Sequence, residues 1–160
     1  MRKKIAYLVA SYCGLGFSPI APGTVGSLFT LPLAFICAYY GGLQGILWLS
    51  LIAFILGVTA SKEVLKYTKH DPSLIVIDEV AGQVLSFVFL ADGLRGNIHA
   101  WLVYFAGFAF FRLFDIWKPQ PVRWADRQLL NAWGVMLDDI FAGTYAACCL
   151  YVLNVFVPLF

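Results

Sequence analysis

Long apolar stretches separated by short polar segments run through this sequence. No charged residue occurs between Ile5 and Ser61, and the later charges are gathered in a few short clusters. A helix needs about 20 apolar residues to cross the hydrocarbon core of a bilayer, and fewer where the membrane is thin. The pattern predicts five membrane helices, at residues 25–40, 44–60, 80–94, 97–114 and 140–160.

Glycine, proline and polar residues mark the breaks between these segments. Pro32 is expected to bend the first helix, and Gly41-Gly42 is expected to form a turn before the second. A polar hairpin at residues 92–96 separates the third helix from the fourth. Because the stretch 80–91 is short, a re-entrant or interfacial piece is the alternative to a crossing there.

The composition supports this prediction and excludes most soluble classes. Hydrophobic residues make up 61% of the chain, against about 45–50% in soluble domains, and charged residues only 12%, against about 25%. Mean hydropathy is +0.81. The length of 160 residues fits one domain. We therefore predict an all-α, polytopic membrane helix bundle in which residues 1–160 form a single domain.

The distribution of basic residues predicts the orientation. With five crossings and a cytoplasmic N-terminus, ten basic side chains face the cytoplasm and Arg95 alone faces the other side. Such an excess on the cytoplasmic side is typical of membrane proteins. If residues 80–94 did not cross, the basic segment 118–127 would lie outside. The basic residues also form no continuous face, which argues against nucleic-acid binding.

Seven of the nine acidic residues fall in polar segments that this topology places on the cytoplasmic side. Five of them lie at helix ends and are expected at one depth; they are Asp78, Glu79, Asp115, Asp138 and Asp139. Crowded carboxylates repel unless they are protonated, paired or bridged by a cation, and hard oxygen ligands suit Mg²⁺. Acids at helix N-termini are also stabilised by the helix dipole, which is the simpler interpretation. Two adjacent acids point about 100° apart on a helix, however, so the second needs its own partner.

Small residues follow both acidic pairs. Ala81-Gly82 comes after the first pair and Ala142-Gly143 after the second. Small residues allow membrane helices to approach closely, so these two helices are candidates for a contact near their acidic ends. A chance match of common residues is the alternative.

Basic and hydroxyl side chains near the acids are candidates for an anion site. Lys118, Arg123 and Arg127 lie among the acidic segments, where they are suited to binding phosphate. Snorkelling at the membrane surface would also explain them. Thr24 and Ser27 open the first membrane helix, where backbone N–H groups and hydroxyls can hold an anion, although a plain loop fits the spacing equally well.

Several phosphatase chemistries lack their motifs here. None of the four cysteines is followed by arginine at Cys-x5-Arg spacing, and no phosphoaspartate DxDx[TV] motif occurs. Neither His70 nor His99 has the Ser-Gly-His setting of histidine-dependent lipid phosphatases. The cysteines also lack CxxC spacing and are interpreted as packing residues. Metal-assisted chemistry built on carboxylates remains.

The polar segments carry a series of motifs in a fixed order. They are Gly14-x-Gly16, Pro19-x-Ala21-Pro22-Gly23-Thr24-x-Gly26-Ser27, Ile77-Asp78-Glu79-x-x-Gly82, Phe114-Asp115-x-x-Lys118-Pro119-x-Pro121, Asp126-Arg127, Gly134 and Met136-x-Asp138-Asp139-x-x-Ala142-Gly143. In these motifs the chain resembles the phosphatidylglycerophosphatase A family. The resemblance covers most of the polar residues.

The resemblance implies a Mg²⁺-dependent phosphatase of the bacterial inner membrane, with its active site facing the cytoplasm. Such an enzyme removes the terminal phosphate of phosphatidylglycerophosphate and leaves phosphatidylglycerol, a step of phospholipid biosynthesis. Together with the charge pattern it suggests three sets of site residues. The metal ligands are Asp78, Glu79, Asp138 and Asp139; the catalytic residues are Asp78, Asp115 and Asp139; the phosphate ligands are Lys118, Arg123, Arg127, Thr24 and Ser27.

Other functions stay open at this stage. Acids in membrane helices often mark ion pathways, so a small ion-coupled transporter is the main alternative. A non-catalytic scaffold that binds anionic lipid and a phosphatase of broader lipid phosphate specificity are two more. The sequence leaves open the number of metal ions, the attacking group (water or a carboxylate) and the oligomeric state.

Overall fold

The computed structural model describes residues 3–68, 72–157 and 159, and this part of the chain contains helices and no strands. The all-α prediction is confirmed. The α-helices are α1 Lys3–Ala10, α2 Pro22–Val64, α3 Ile77–Leu85, α4 Ala91–Leu94, α5 Trp101–Trp117, α6 Val122–Gln128 and α7 Ala132–Phe156, with a 3₁₀ turn at Leu15–Phe17.

The long element α2 is two helices joined at a sharp break. Gly42 has φ 53° and ψ −136°, a backbone conformation that glycine adopts without a steric penalty. Gly45 packs against the backbone of Cys37, so the chain turns back on itself at this point. The predicted turn at Gly41-Gly42 is therefore present, without an intervening loop.

This break lies beside the predicted hairpin at residues 92–96, most of which forms the short helix α4. The backbone N–H of Leu43 donates to the Asp92 carboxylate at 3.1 Å, and the N–H of Gly96 donates to the Tyr39 carbonyl at 3.0 Å. We call this the far end of the bundle. The N-termini of α2 and α3, the C-terminus of α5 and the first turns of α7 meet at the opposite end.

Helix length alone does not establish five crossings. Within the described residues, two helices are long and apolar enough to span a membrane, Pro22–Val64 and Ala132–Phe156. The predicted segment 80–94 is interrupted after Leu85 by turns that lead into α4. The five-crossing topology stays a prediction, and Arg2 and Lys69, two of the basic residues counted for it, lie outside the described residues.

Polar side chains lie in the buried centre of this fold, whereas its outer surface is largely apolar. Helix α3 is enclosed by α2, α5 and α7, and each residue from Ile77 to Val84 is buried. The outer faces of the surrounding helices are apolar as well, with Trp48 63% exposed and Phe105 55% exposed. The central helix therefore carries the polar groups, Glu79 and Gln83 among them, into the middle of the fold.

Candidate active site

Three helices bring one carboxylate each to the same point. Glu79 on α3, Asp115 on α5 and Asp139 on α7 have carboxylate oxygens within 4.8 Å of one another. Glu79 is 8% exposed and Asp139 only 3% exposed. These three side chains, called the carboxylate cluster below, come from positions 60 residues apart in sequence, between 79 and 139.

A cavity of about 290 Å³ opens onto the carboxylate cluster. It lies at the end of the bundle opposite the Gly42 break. Among the residues that the structure describes, its wall contains five acidic and two basic side chains, together with the first turn of α2. The lining residues are Ala21, Pro22, Gly23, Thr24, Ser73, Ile75, Asp78, Glu79, Arg112, Asp115, Lys118, Asp138 and Asp139.

Glu79 is fixed against the start of α2. The Ser27 hydroxyl lies 2.7 Å from Glu79 Oε2, within donating distance, and the Arg112 guanidinium donates to the same oxygen at 2.6 Å. Gly23 makes this approach possible, because a Cβ atom at that position would collide with the Glu79 carboxylate. The glycine-rich segment therefore positions an acid, in addition to beginning a helix.

Arg112 is the residue that the sequence reasoning missed. Its Nη1 atom lies 2.6 Å from Glu79 Oε2 and 3.0 Å from Asp115 Oδ2, so it joins two members of the carboxylate cluster. From the sequence alone, Arg112 is one more basic residue on the predicted cytoplasmic side. The available signal was its position three residues before Asp115 in an apolar helix, a spacing that puts the two side chains on one face.

Lys118 ends α5 in a left-handed conformation, with φ 50°. Its ammonium group donates to Asp138 at 3.0 Å and also to Asp126, so it ties α7 to α6. Burial alone would lower the pKa of Lys118, but the hydrogen bond that it donates to Asp126 and the charge of Asp138 outweigh burial and raise the pKa. The lysine therefore keeps its positive charge at the edge of the cavity.

The other members of the acidic pairs have a different position. Asp78 Oδ1 accepts from the Glu79 N–H at 2.9 Å, and Asp138 Oδ1 accepts from the Asp139 N–H at 3.1 Å. Both line the cavity without belonging to the carboxylate cluster. Each adjacent pair thus divides its tasks, one acid entering the cluster and the other bordering it.

The predicted phosphate ligands are spread over two locations. Thr24 lines the cavity, and Ser27 is buried against Glu79. Arg123 and Arg127 are exposed on α6 and lie outside the cavity lining. The cavity therefore contains Lys118 and Arg112 as its cations, together with the first backbone amides of α2.

The start of α2 is left open toward the cavity. Ala21 precedes the helix in a left-handed conformation, with φ 44°, and no described side chain caps it. Pro22 has no N–H group, so Gly23 and Thr24 carry the first amides of the helix. Uncapped amides at a helix N-terminus attract anions.

The donor set fits a hard divalent cation. Every candidate ligand in the carboxylate cluster is a carboxylate oxygen, the type that Mg²⁺ prefers. Asp139, although buried, forms no ion pair with any residue the structure describes. A buried carboxylate without a cationic partner is costly, and a bound cation would remove that cost.

The arrangement is typical of enzymes that act on phosphate groups. Carboxylates provide a site for a divalent cation, while cationic side chains and helix amides face the same small cavity. The fold and the site together define a helical phosphoryl-transfer enzyme.

Comparison with known proteins identifies the family. The family model described as Phosphatidylglycerophosphatase A matches residues 8–154. The chain belongs to this family, and it is therefore a phosphoric monoester hydrolase, as the resemblance implied. No solved structure matches the chain.

Three curated relatives illustrate the range of the similarity. Phosphatidylglycerophosphatase A of Escherichia coli is 35% identical, over 96% of this chain and 86% of its own. Phosphatidylglycerophosphatase A of Haemophilus influenzae is 34% identical, over 92% and 88% respectively. A Bacteroides thetaiotaomicron protein with the provisional name phosphatidylinositol-3-phosphatase is also 34% identical, over 87% of each chain.

Proposed function

We propose that this enzyme hydrolyses the terminal phosphomonoester of phosphatidylglycerophosphate to give phosphatidylglycerol. The reaction is Mg²⁺-dependent and takes place at the cytoplasmic face of a bacterial inner membrane. The family and the names of the E. coli and H. influenzae relatives support the substrate. The rest of the proposal is argued from the geometry of the cavity.

The charge of the cavity wall is the observation that carries the metal requirement. In the described part of the chain, five carboxylates and two cationic side chains line the cavity. A phosphomonoester bears about two negative charges at neutral pH and would be repelled by such a surface. Glu79, Asp115 and Asp139 would hold the cation, with Asp78 and Asp138 beside them. Bound Mg²⁺ would polarise the phosphoryl group and offset the charge that develops during its transfer.

The protein's own groups would bind and orient the phosphate. Lys118 and the first amides of α2 face the cavity and are suited to its oxygens. Asp126 and Asp138 hold the ammonium group of Lys118 in one place, which reduces the freedom lost when substrate binds. Asp115, at the end of α5, is the candidate for accepting a proton from the attacking group if it does not serve as a ligand.

The exposed arginines of α6 suit a second, outer role. The substrate carries a phosphodiester between its glycerol headgroup and the lipid, in addition to the terminal phosphate. Arg123 and Arg127 stand outside the cavity, where they would contact that diester as the headgroup enters. This role keeps both residues among the phosphate ligands.

The exposed apolar surface supports a position within the membrane. Large side chains such as Trp48 and Phe105 are more than half exposed on the outer faces of the helices. A soluble monomer rarely shows so much apolar surface to water. The break at Gly42 and the hairpin at 92–96 share the far end, where a five-crossing topology places both. The carboxylate cluster then lies near the cytoplasmic boundary.

Phosphate release from the purified full-length protein in detergent tests this function. We expect hydrolysis of phosphatidylglycerophosphate that stops when EDTA is added and returns with excess Mg²⁺. Retention of full activity after exhaustive chelation would contradict the metal requirement. Failure to release phosphate from phosphatidylglycerophosphate at any Mg²⁺ concentration would contradict the substrate.

A broader specificity for lipid phosphomonoesters is the second candidate. The provisional name of the Bacteroides relative, phosphatidylinositol-3-phosphatase, is the observation that favours it. Phosphatidic acid and phosphatidylinositol-3-phosphate are therefore assayed in parallel under the same conditions. A kcat/KM for either lipid within about tenfold of that for phosphatidylglycerophosphate, a free-energy difference of about 1.4 kcal/mol, would favour the broader enzyme.

A further inference from the structure

Arg112 occupies the place between two carboxylates where a cation is needed. Its Nη1 atom contacts Glu79 Oε2 and Asp115 Oδ2, and the Ser27 hydroxyl is 3.5 Å away. The side chain is only 15% exposed, so these contacts are made largely out of solvent. In this structure the guanidinium is the cation that keeps Glu79 and Asp115 close together.

The pairing leaves the guanidinium only partly satisfied. Its contacts with Glu79, Asp115 and Ser27 use Nη1, and its Nε atom is buried with no hydrogen-bond partner in the part of the chain described. Guanidinium groups favour planar, two-point contacts with carboxylate or phosphate. Arg112 therefore has unused capacity for binding an anion.

A divalent cation and Arg112 cannot share these oxygens without competition. Mg²⁺ takes its oxygen ligands at about 2.1 Å, and Glu79 Oε2 and Asp115 Oδ2 are the oxygens that Arg112 Nη1 contacts. The positive charge of Arg112 would also repel the ion at this short distance. The same side chain lines the cavity that takes the phosphate, next to Gly23 at the open start of α2.

We propose that Arg112 acts as the counter-cation of the carboxylate cluster until a divalent cation binds there. When a divalent cation takes Glu79 and Asp115, the guanidinium is released and pairs with the phosphate of the substrate. The proposal rests on the proposed function, since it assumes that the carboxylate cluster binds Mg²⁺. It assigns Arg112 two partners in turn, the carboxylates first and the phosphate second.

Metal binding without substrate tests the first half. We would measure Mn²⁺ binding to the full-length protein in detergent by calorimetry, comparing wild type, Arg112→Gln, Arg112→Lys and Arg95→Gln. Arg95 lies at the far end of the bundle, and Arg95→Gln removes the same charge, so this variant is the matched control. We expect Arg112→Gln to bind Mn²⁺ about tenfold more tightly, and Arg112→Lys and Arg95→Gln to stay within about threefold of wild type. An unchanged or weaker affinity in Arg112→Gln would overturn the proposal.

If Arg112→Gln is too unstable for calorimetry, its thermal unfolding with and without metal provides a second test. Without metal, Glu79 and Asp115 repel each other in Arg112→Gln, so its unfolding temperature is expected to fall below that of wild type. Saturating Mg²⁺ should then raise it by more than it raises wild type. A metal-induced rise no larger than that of wild type would contradict the counter-cation role.

Binding of inorganic phosphate to the Mg²⁺-loaded protein tests the second half. We expect the Kd for phosphate to rise at least about tenfold in Arg112→Gln and to be unchanged in Arg95→Gln. An unchanged phosphate affinity in Arg112→Gln would show that Arg112 does not pair with phosphate. Absence of Mn²⁺ binding in wild type itself, with hydrolysis unaffected by chelation, would instead overturn the metal requirement of the proposed function, and the Arg112 proposal with it.

Discussion

Gly82 of α3 and Gly143 of α7 pack backbone to backbone. A Cβ atom on Gly143 would collide with the Gly82 carbonyl, and one on Gly82 would collide with the Asp139 carbonyl. Glu79 and Asp139 lie about one helical turn before these glycines. The close contact of the two helices thus sets the separation of two carboxylates in the cluster, and the predicted approach of the two small-residue pairs is present.

Alanine at Gly143 is expected to destabilise the protein and to weaken the metal site. The added methyl group forces α3 and α7 apart, and overpacking of this kind costs about 1–3 kcal/mol. Thermal unfolding and Mn²⁺ affinity of Gly143→Ala provide the measurement. Gly41→Ala is the control, because a Cβ atom there meets nothing within 4 Å. Equal stability and metal affinity of Gly143→Ala and wild type would show that the contact does not set the site.

Removal of a single carboxylate charge is expected to abolish turnover without unfolding the protein. Asp139→Asn keeps the size of the side chain but loses the negative charge that a cation requires. We expect kcat/KM to fall at least about a thousandfold, or about 4 kcal/mol of transition-state stabilisation. The same loss is expected for Asp78→Asn, which borders the cluster. Asp92→Asn at the far end is the control, since an amide oxygen still accepts from Leu43. Near-normal activity of a purified variant would remove that residue from the site.

Lys118 provides a test that separates charge from backbone strain. A side chain in the left-handed conformation costs about 1–2 kcal/mol, which glycine avoids. We therefore expect Lys118→Gly to be more stable than Lys118→Ala by about 1 kcal/mol, while both lose hydrolysis about equally. If the activities of Lys118→Gly and Lys118→Ala differed in step with their stabilities, the loss of activity would come from unfolding. The ammonium group would then have no part in catalysis.

The raised pKa of Lys118 gives this prediction a pH dependence. A raised pKa in the folded state stabilises the fold below the unfolded value of about 10.4, and the contribution disappears as pH rises through the folded value. Between pH 7 and about pH 10 the lysine stays charged, so the thermal stability of Lys118→Arg is expected to depend on pH in the same way as that of wild type. A fall in thermal stability in this pH range that occurs in wild type but not in Lys118→Arg would contradict this prediction.

The five-crossing topology is tested by labelling single cysteines in intact cells. With the four native cysteines replaced, Asn97→Cys at the far end is expected to react with a membrane-impermeant maleimide. Gln128→Cys, at the end that holds the cavity, is expected to react only after permeabilisation. The reverse pattern would place the cavity on the outer side of the membrane.

The ends of the apolar segments predicted much of the site. Glu79 and Asp115 occur where helices begin or end on one side of the bundle, so their convergence follows from topology. The prediction that Asp138-Asp139 begins a helix is wrong, because α7 begins at Ala132 and Asp139 lies about two turns inside it. The pattern of charges does not reveal which acid of each pair points inward, since that depends on the rotation of α3 and α7 about their axes. Gly82 and Gly143 fix that rotation through the contact of the two backbones.

Arg112 shows the limit of reasoning from local pattern. A cation near a helix end at the membrane surface is ordinary, and snorkelling explains it without a partner. Its role depends on Glu79, which is 33 residues away and reaches it only after α3 packs between α2 and α5. The shortness of the stretch 80–91 pointed to a re-entrant or interfacial piece as the alternative to a crossing. Apolar composition did not reveal that the helix ends at Leu85, because it does not distinguish one continuous helix from a helix followed by turns.

The order of the clustered acids along the chain has a consequence for biosynthesis. The ribosome makes Glu79 and Asp115 well before Asp139, and Gly143 follows only when α7 is nearly half complete. A nascent chain that lacks this last helix has two of the three carboxylates and lacks the backbone contact between Gly82 and Gly143. If the carboxylate cluster is the catalytic site, as proposed, hydrolytic competence is acquired late in translation, and a product truncated before α7 would not hydrolyse lipid.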